Sequence, residues 1–280
     1  MKKLTPKKFF CKSGFYTLLA IFLVFITSPM YWCLITSFKP YSEITSKEVT
    51  LWPASFTFEN YIEAWIDAGF SNYFKNSLII SGLGTIFIVI VSVMTGYALA
   101  RFKFKGKNAF MLILLCTQFV PGAMLITPLF IIFKNLGMLN NLFALVLINT
   151  TFQFPFNSIL MRGFVQGIDY TIEEAAQIDG CSRVGAIIRV LLPLLRPAIA
   201  TIGAYGFISC WNEFLFSFMF LSKQNFMTLP VGLKSMVGEF SINYGQLAAG
   251  AVIAVVPTLI LFSFVQKNLV NGLSSGAVKG

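Results

Sequence analysis

Long apolar runs separated by short polar stretches dominate the chain, and this pattern predicts the fold. Five runs contain no charged residue, and a sixth is interrupted once, by Glu213. The runs cover residues 13–38, 76–100, 108–133, 135–161, 198–222 and 240–266. Each exceeds the ~20 residues that a helix needs to cross the hydrocarbon core, and each is too long and too uniformly apolar for a barrel strand. We therefore predict an all-α integral membrane protein with six transmembrane helices.

The polar stretches give the predicted organisation of the chain. We expect an N-terminal tail, a first transmembrane helix, an external segment, a core of five further helices and a C-terminal tail. These parts cover residues 1–12, 13–38, 39–75, 76–268 and 269–280, and the core includes a charged loop at 169–197. The composition agrees, because 56% hydrophobic and 11% charged residues, with a mean hydropathy of +0.77, exclude a soluble domain.

Basic residues are distributed unevenly between the two sets of loops. One set holds fifteen, namely Lys2, Lys3, Lys7, Lys8, Lys12, Arg101, Lys103, Lys105, Lys107, Arg162, Arg183, Arg189, Arg196, Lys267 and Lys279. The other set holds six, namely Lys39, Lys47, Lys75, Lys134, Lys223 and Lys234. Basic loops remain on the cytoplasmic side, so both termini and the 169–197 loop are predicted to be cytoplasmic. The net charge of +10 therefore orients the protein and does not indicate nucleic-acid binding.

Residue types that carry catalysis or bind metals are sparse. The chain has no histidine, and its five cysteines form no C-x-x-C pair, which argues against zinc and disulfide frameworks. No phosphate-binding G-x-x-x-x-G-K-[ST] loop and no nucleophile elbow occurs. We predict no catalytic residue, no metal site and no cofactor in this chain, so any ATP is hydrolysed elsewhere.

The loop at residues 169–197 has the features of a docking element. Thr171 and Glu174 fit a T-x-x-E capping box, which predicts a helix beginning at Ile172. Gly180 is suited to end that helix, because glycine accepts the left-handed conformation. Ser182 is suited to cap a second helix, and two prolines follow before the next apolar run.

One face of the predicted helix carries small residues. Ile172, Ala175, Ala176 and Asp179 fall at i, i+3, i+4 and i+7, bordered by Glu173, Glu174 and Gln177. Small side chains permit a close approach by a partner protein. The alternative is a helix in the lipid headgroup layer, although such helices are usually rich in lysine and arginine.

Polar residues inside the apolar runs mark a candidate translocation pathway. Asn149, Gln153 and Asn157 lie at i, i+4 and i+8 and form one polar stripe. Asn212 and Glu213 follow Trp211, a combination of the kind that sugar sites use. Interhelical hydrogen bonding is the alternative for the stripe, and a carboxylate at the outer membrane interface is the alternative for Glu213.

These features leave three classes of function to compare. A translocation subunit driven by a cytoplasmic partner accounts for both the docking loop and the missing ATPase motif. A stand-alone secondary transporter is expected to carry ionisable residues deep in the membrane, and only Glu213 interrupts a run. An intramembrane enzyme would need a catalytic set that the sequence does not provide.

The sequence EEAAQIDG followed by VLLPLLRP resembles the EAA loop of permease subunits in binding-protein-dependent ABC importers. The resemblance rests on Glu174, Ala175, Ala176, Asp179, Gly180, Leu192 and Pro193. The stretches FTFENYIEAW, NSLIIS, TGYALARFKFKGK, WNEF, TLPVGL and LVNGLSSGAVKG are similar to MalG-type carbohydrate permeases. The similarity therefore covers essentially the whole chain.

This resemblance implies a type I importer fold whose cytoplasmic coupling helix docks in a cleft of an ATP-binding subunit. It also implies several partners: a second, MalF-like permease, a dimer of ATP-binding subunits that holds ATP and Mg, and an external or periplasmic sugar-binding protein. The expected location is the bacterial plasma membrane, in contact with its lipids. An importer for a non-sugar solute is the alternative.

Overall fold

The computed structural model describes residues 6–238 and 242–277, and the named elements in these ranges are helices. The α-helices are α1 (Pro6–Ser37), α2 (Tyr41–Ile44), α3 (Glu59–Ile62), α4 (Phe70–Arg101), α5 (Lys107–Thr117), α6 (Ile126–Asn135), α7 (Leu142–Gln166), α8 (Thr171–Ile178), α9 (Arg183–Ala186), α10 (Leu192–Leu194), α11 (Arg196–Trp211), α12 (Leu215–Phe220), α13 (Leu229–Ser235) and α14 (Tyr244–Ala277). Two π-helical turns cover Glu63–Asp67 and Ile187–Leu191, and two 3₁₀ turns cover Gly122–Leu125 and Gln224–Phe226.

Four of the described helices are long and apolar enough to cross a membrane. They lie at Gly14–Ser37, Phe70–Arg101, Leu142–Gln166 and Tyr244–Gln266. Two further pairs of helices, bent by 90° and 73°, are long and apolar enough when taken together, and each forms a broken span or a re-entrant loop. The described residues thus contain up to six spans, in agreement with the six apolar runs.

The first bent pair is the predicted third span. It joins Lys107–Thr117 to Gly122–Asn135, and the break falls where the sequence places Pro121 and Gly122. Proline lacks an N–H and cannot continue the helical hydrogen-bond ladder. The break therefore follows from the residue type at this position.

Two other predicted runs differ from the helices that they form. The fourth run begins at residue 135, but α7 begins at Leu142, where the Asn141 side chain accepts a hydrogen bond from the Phe143 amide at 2.8 Å. The run at 198–222 is not continuous, because α11 ends at Trp211 and α12 begins at Leu215. Hydropathy reports apolar content, whereas local hydrogen bonds decide where a helix begins and ends.

The predicted C-terminal tail is partly helical. Within the described residues, 269–277 continue α14, and residues 278–280 lie outside the described range. The predicted N-terminal tail similarly overlaps α1 from Pro6 onward, whereas residues 1–5 lie outside the described range.

The chain divides into two compact units. One contains Met1–Phe70 and Leu233–Val255, and the other contains Ser71–Gly232 and Val256–Gly280. In the first unit the external segment folds around Asn60, whose amide donates to the Ser37 and Lys39 carbonyls at 3.0 and 2.8 Å. Part of the stretch FTFENYIEAW is helical, as α3 and the π-helical turn that follows it.

In the second unit, two hydrophobic clusters hold the helices together. The first cluster contains Ile80, Leu145, Val146, Ile148, Phe216, Phe220 and Leu221. The second contains Tyr97, Met161, Val165, Leu191, Leu195, Ala198 and Ile202. Gly96 brings α4 close to α7, because a Cβ atom at this position would lie 2.8 Å from the Met161 Cβ. The second cluster therefore packs the ends of α4 and α7 against the chain that follows α9.

Candidate coupling segment and pathway residues

The short helix predicted in the charged loop is present as α8, but its first turn is capped differently from the prediction. The helix begins at Thr171, and its N-cap residue, Tyr170, makes no side-chain cap. The Asp169 carboxylate instead accepts a hydrogen bond from the Thr171 amide at 3.1 Å, and this bond holds the pKa of Asp169 below its usual range. The predicted capping box is therefore wrong, because Thr171 lies one residue too far inside the helix to serve as its cap.

The end of α8 agrees with the prediction. Gly180 has a φ of +91°, in the left-handed region. Its amide donates to the Gln177 carbonyl at 3.1 Å, and the Cys181 amide donates to the Ala176 carbonyl at 3.0 Å. This pair of bonds is the Schellman motif. Ser182 then caps α9 by accepting a hydrogen bond from the Gly185 amide at 3.1 Å, also as predicted.

The buried and exposed residues of α8 do not follow the face predicted from the sequence. The side chains buried in this helix are those of Glu173 and Ala176. Ile172, Ala175 and Asp179, which share the predicted face with Ala176, are exposed, as are Glu174 and Gln177. The most exposed apolar side chain is Ile178, at 86%. The helix therefore presents a surface centred on Ile178, which no motif in the sequence indicates.

Glu173 is buried because it is paired with residues at the end of α4. Its carboxylate lies 2.7 Å from the Arg101 Nε, and the two side chains are 2% and 8% exposed. The Tyr97 hydroxyl donates to the other carboxylate oxygen at 3.0 Å. Arg101 also donates through Nη2 to the Ile168 carbonyl at 2.9 Å. The sequence places Glu173 only on the polar border, since no local pattern joins it to residues 72 and 76 positions earlier.

The remaining coupling candidates, Leu192 and Pro193, lie beyond α9. Both are half-buried in α10, between the fully buried Leu191 and Leu195. The chain bends by 73° between Arg183–Leu194 and Arg196–Trp211, where the prolines are predicted to bend it. Because α8 packs against α9 and the π-helical turn that follows, the segment forms one connected surface element.

The polar stripe of α7 faces the protein interior. Asn149 is 5% exposed and Asn157 is fully buried, whereas Gln153 is half-buried. The Asn157 amide donates to the Gln153 carbonyl at 2.8 Å. Among the described residues, no partner is found for the Asn149 Nδ2 or the Asn157 Oδ1. Buried polar atoms without a partner cost about 1–3 kcal/mol each, so these amides offer hydrogen bonds that the packing of α7 does not use.

Glu213 has a local role that its sequence context does not indicate. Its carboxylate accepts hydrogen bonds from the Phe216 and Ser217 amides at 2.6 and 2.9 Å, and from the Ser217 hydroxyl at 2.7 Å. It therefore closes the first turn of α12. Trp211 is buried against Phe207, whereas Asn212 is exposed. The predicted aromatic and polar cluster thus does not form one surface.

Within the part of the chain that the structure describes, no three His, Cys, Asp or Glu side chains are grouped to hold a metal ion. The geometry defines a multi-pass helical membrane protein with a short capped helix between two of its spans.

Comparisons with known proteins give the family. Residues 88–275 match the family described as "Binding-protein-dependent transport system inner membrane component". The chain therefore belongs to this family of ABC importer permeases, and the predicted family is confirmed.

Curated relatives match nearly the whole chain. It is 35% identical over 269 residues to the "Probable ABC transporter permease protein YurM" of Bacillus subtilis, covering 96% of this chain and 89% of the relative. It is also 35% identical over 260 residues to the "Diacetylchitobiose uptake system permease protein DasC" of Streptomyces coelicolor, covering 93% and 94%.

A solved structure has the same fold. The crystal structure of a bacterial ABC transporter involved in the import of the acidic polysaccharide alginate matches with a TM-score of 0.84 at 25% identity, over 95% of this chain and 99% of that chain. The all-helical importer fold predicted from the sequence is therefore confirmed.

Proposed function

We propose that this permease forms half of the translocation pathway of a sugar or oligosaccharide importer and docks through α8 on a separate ATP-binding subunit. The observation that carries the docking role is the exposure of Ile178, at 86%, on a helix whose two ends are fixed by hydrogen bonds. A large apolar side chain on a short, capped helix is suited to insertion in a pocket of a partner.

The proposed partners are inferred from the sequence motifs of the chain and from the solutes named for similar proteins. Its sequence has no phosphate-binding loop, so a dimer of separate subunits would bind ATP and Mg, and this chain would be non-catalytic. A second, MalF-like permease would complete the pathway, and an external binding protein would deliver the solute. The sugar is favoured because diacetylchitobiose and alginate, the solutes named for two similar proteins, are both carbohydrates.

The proposed orientation places α8 and both termini in the cytoplasm of a bacterial cell. The support is the excess of basic residues in one set of loops. With this orientation, the ATP-binding subunits reach α8, and the external segment at residues 39–75 faces the binding protein.

The proposed mechanism is mechanical. Closure of the ATP-binding pair moves the docked α8, and α8 passes this motion to the spans on either side. Glu174, Ala175, Ala176, Asp179 and Gly180 give α8 its docking surface and its shape, while Leu192 and Pro193 shape the bend beyond α9. The solute would pass beside the polar stripe of α7.

The proposed pathway residues are Asn149, Gln153, Asn157, Asn212 and Glu213. The unused hydrogen-bonding atoms of Asn149 and Asn157 favour this role, since a sugar or water beside the stripe would satisfy them. Glu213 supports the pathway through the position of α12, because its carboxylate oxygens already accept bonds from α12.

The experiment is to co-purify the chain with its partner subunits and measure ATP hydrolysis and uptake across a panel of mono- and oligosaccharides. One carbohydrate is expected to stimulate hydrolysis when its binding protein is present. Ile178→Asp should abolish co-purification of the ATP-binding subunit, because a charge would have to be buried in the docking pocket.

Val49→Asp is the matched control, since Val49 is 75% exposed in the external segment. It should leave the ATP-binding subunit bound. Retention of that subunit by Ile178→Asp would contradict the docking role, and stimulation only by non-carbohydrate solutes would contradict the sugar assignment.

A further inference from the structure

The contact that holds α8 to the rest of the protein is mainly polar. Of its eight residues, only Glu173 and Ala176 are buried. An isolated helix of this length is unstable in water, and one buried methyl group contributes only about 0.8 kcal/mol. The position of α8 must therefore depend heavily on Glu173.

The partners of Glu173 come from a single face of α4. Tyr97 and Arg101 are four residues apart, so their side chains lie one above the other at the end of that helix. Tyr97 donates to one carboxylate oxygen and Arg101 to the other, at 3.0 and 2.7 Å. The carboxylate is thus held at both oxygens and cannot rotate without breaking a bond.

Arg101 also fixes the chain that leads into α8. A second nitrogen of the same guanidinium donates to the Ile168 carbonyl at 2.9 Å. The Arg101 guanidinium lies 5.4 Å from the Tyr170 ring centroid, and Arg183 of α9 stacks 4.4 Å over the ring of Phe102, the residue after Arg101. Because guanidinium is planar and its donors are rigidly placed, one side chain sets the position of both α8 and the residues before it.

A buried ion pair is a poor source of net stability. The cost of removing two charges from water offsets most of their attraction, and well-packed apolar replacements are often neutral or stabilising. What such a pair provides is a single geometry. We therefore expect the ion pair between Glu173 and Arg101 to fix the position of α8 and to contribute little net stability to the fold.

We propose that Glu173, Arg101 and Tyr97 are positioning residues that form a latch between α8 and α4, so that a displacement of α8 is passed to the α4 span. This inference rests on the proposed docking function of α8. It assigns to Glu173 a role distinct from that of Glu174, which is exposed on the docking surface. The latch would keep the span and the docking helix moving as one body during each cycle of ATP binding and hydrolysis.

The test is a triple variant, Tyr97→Phe with Arg101→Met and Glu173→Leu, in the complete complex reconstituted in liposomes. It removes every polar group of the latch together, so no buried charge loses its partner and the complex should assemble in normal yield. The amount of solute transported per ATP hydrolysed should fall at least about fivefold, within the range of couplings between contacting residues. A purely structural role predicts an unchanged ratio.

Arg101→Lys is a second variant, for use if the triple variant does not assemble, because it keeps the buried positive charge. Lysine lacks the planar fork that reaches both Glu173 and Ile168, so the ratio should fall here as well. A wild-type ratio in whichever of the two complexes assembles would overturn the latch.

Ile178→Asp, measured beside them, separates this inference from the proposed function. If that variant loses the ATP-binding subunit while the latch variants keep normal coupling, the latch is wrong and the docking role stands. If Ile178→Asp keeps the ATP-binding subunit and normal coupling, the docking role fails and the latch fails with it. Loss of the subunit in Ile178→Asp together with loss of coupling in the latch variants supports both.

Discussion

Glu173 is buried and Glu213 is half-buried, and the two carboxylates accept hydrogen bonds from different parts of the chain. Glu173 is held by Tyr97 and Arg101, 76 and 72 positions earlier in the chain. Glu213 is held by the amides of Phe216 and Ser217, three and four positions later. The first carboxylate joins two helices, whereas the second shapes the start of one. The separation along the chain between a carboxylate and its hydrogen-bond partners therefore indicates its role. Distant partners mean that it joins two helices, and near partners mean that it shapes one.

The largest effect on stability is expected when the Glu173 carboxylate is removed. Glu173→Leu would leave Arg101 buried without an anion and should lower the free energy of unfolding by about 3–5 kcal/mol. Thermal unfolding of the purified complex measures this loss. Glu48→Leu is the control, because Glu48 is exposed in the external segment and away from α8, and it should change stability by less than about 0.5 kcal/mol. Equal effects of the two changes would mean that the ion pair contributes nothing.

A smaller effect is expected at Glu213. Glu213→Ala removes the acceptor for the first amides of α12, and loss of such a cap costs about 0.5–2 kcal/mol. Glu213→Gln keeps one acceptor oxygen and should lose less, and the same thermal measurement gives both values. Glu173→Gln should instead be almost as damaging as Glu173→Leu, because it leaves the Arg101 charge unpaired. A Gln variant that costs the same at both positions would remove the distinction between the two carboxylates.

The smallest effect concerns pH and the first turn of α8. The pKa of Asp169 is lowered by the Thr171 amide, so this contribution to stability is present above the pKa of about 3.9 in the unfolded chain. It is lost as the pH falls through the lower pKa of the folded state. Asp169→Asn should therefore flatten the pH dependence of the unfolding midpoint below about pH 4. An unchanged slope would show that the bond to Thr171 does not contribute.

The sequence predicted the features that arise within a few residues. The end of α8 at Gly180 follows from the left-handed conformation that glycine accepts, and the cap at Ser182 follows from a hydroxyl that accepts a backbone hydrogen bond. The beginning of α8 was predicted one residue out of place, because Asp169 and Thr171 are both suitable acceptors and only the folded chain selects one.

The arrangement of the candidate functional residues could not be predicted from local sequence in the same way. The outward position of Ile178 and the inward position of Glu173 depend on where α4 ends relative to α8. The predicted cluster of Trp211, Asn212 and Glu213 did not form, because the helix ends at Trp211 and the chain turns toward α12.

The amino-acid sequence alone determined that this protein is a helical membrane permease, since lipid demands long apolar runs and the family motif is contiguous. It also determined where the short helix α8 lies in the chain. Only the tertiary structure decided which side of that helix is exposed and which side is fixed to α4. The physical reason is that the Glu173 carboxylate is buried because Arg101 and Tyr97, which are distant in the sequence, bind it in the folded chain. No local sequence pattern indicates these contacts.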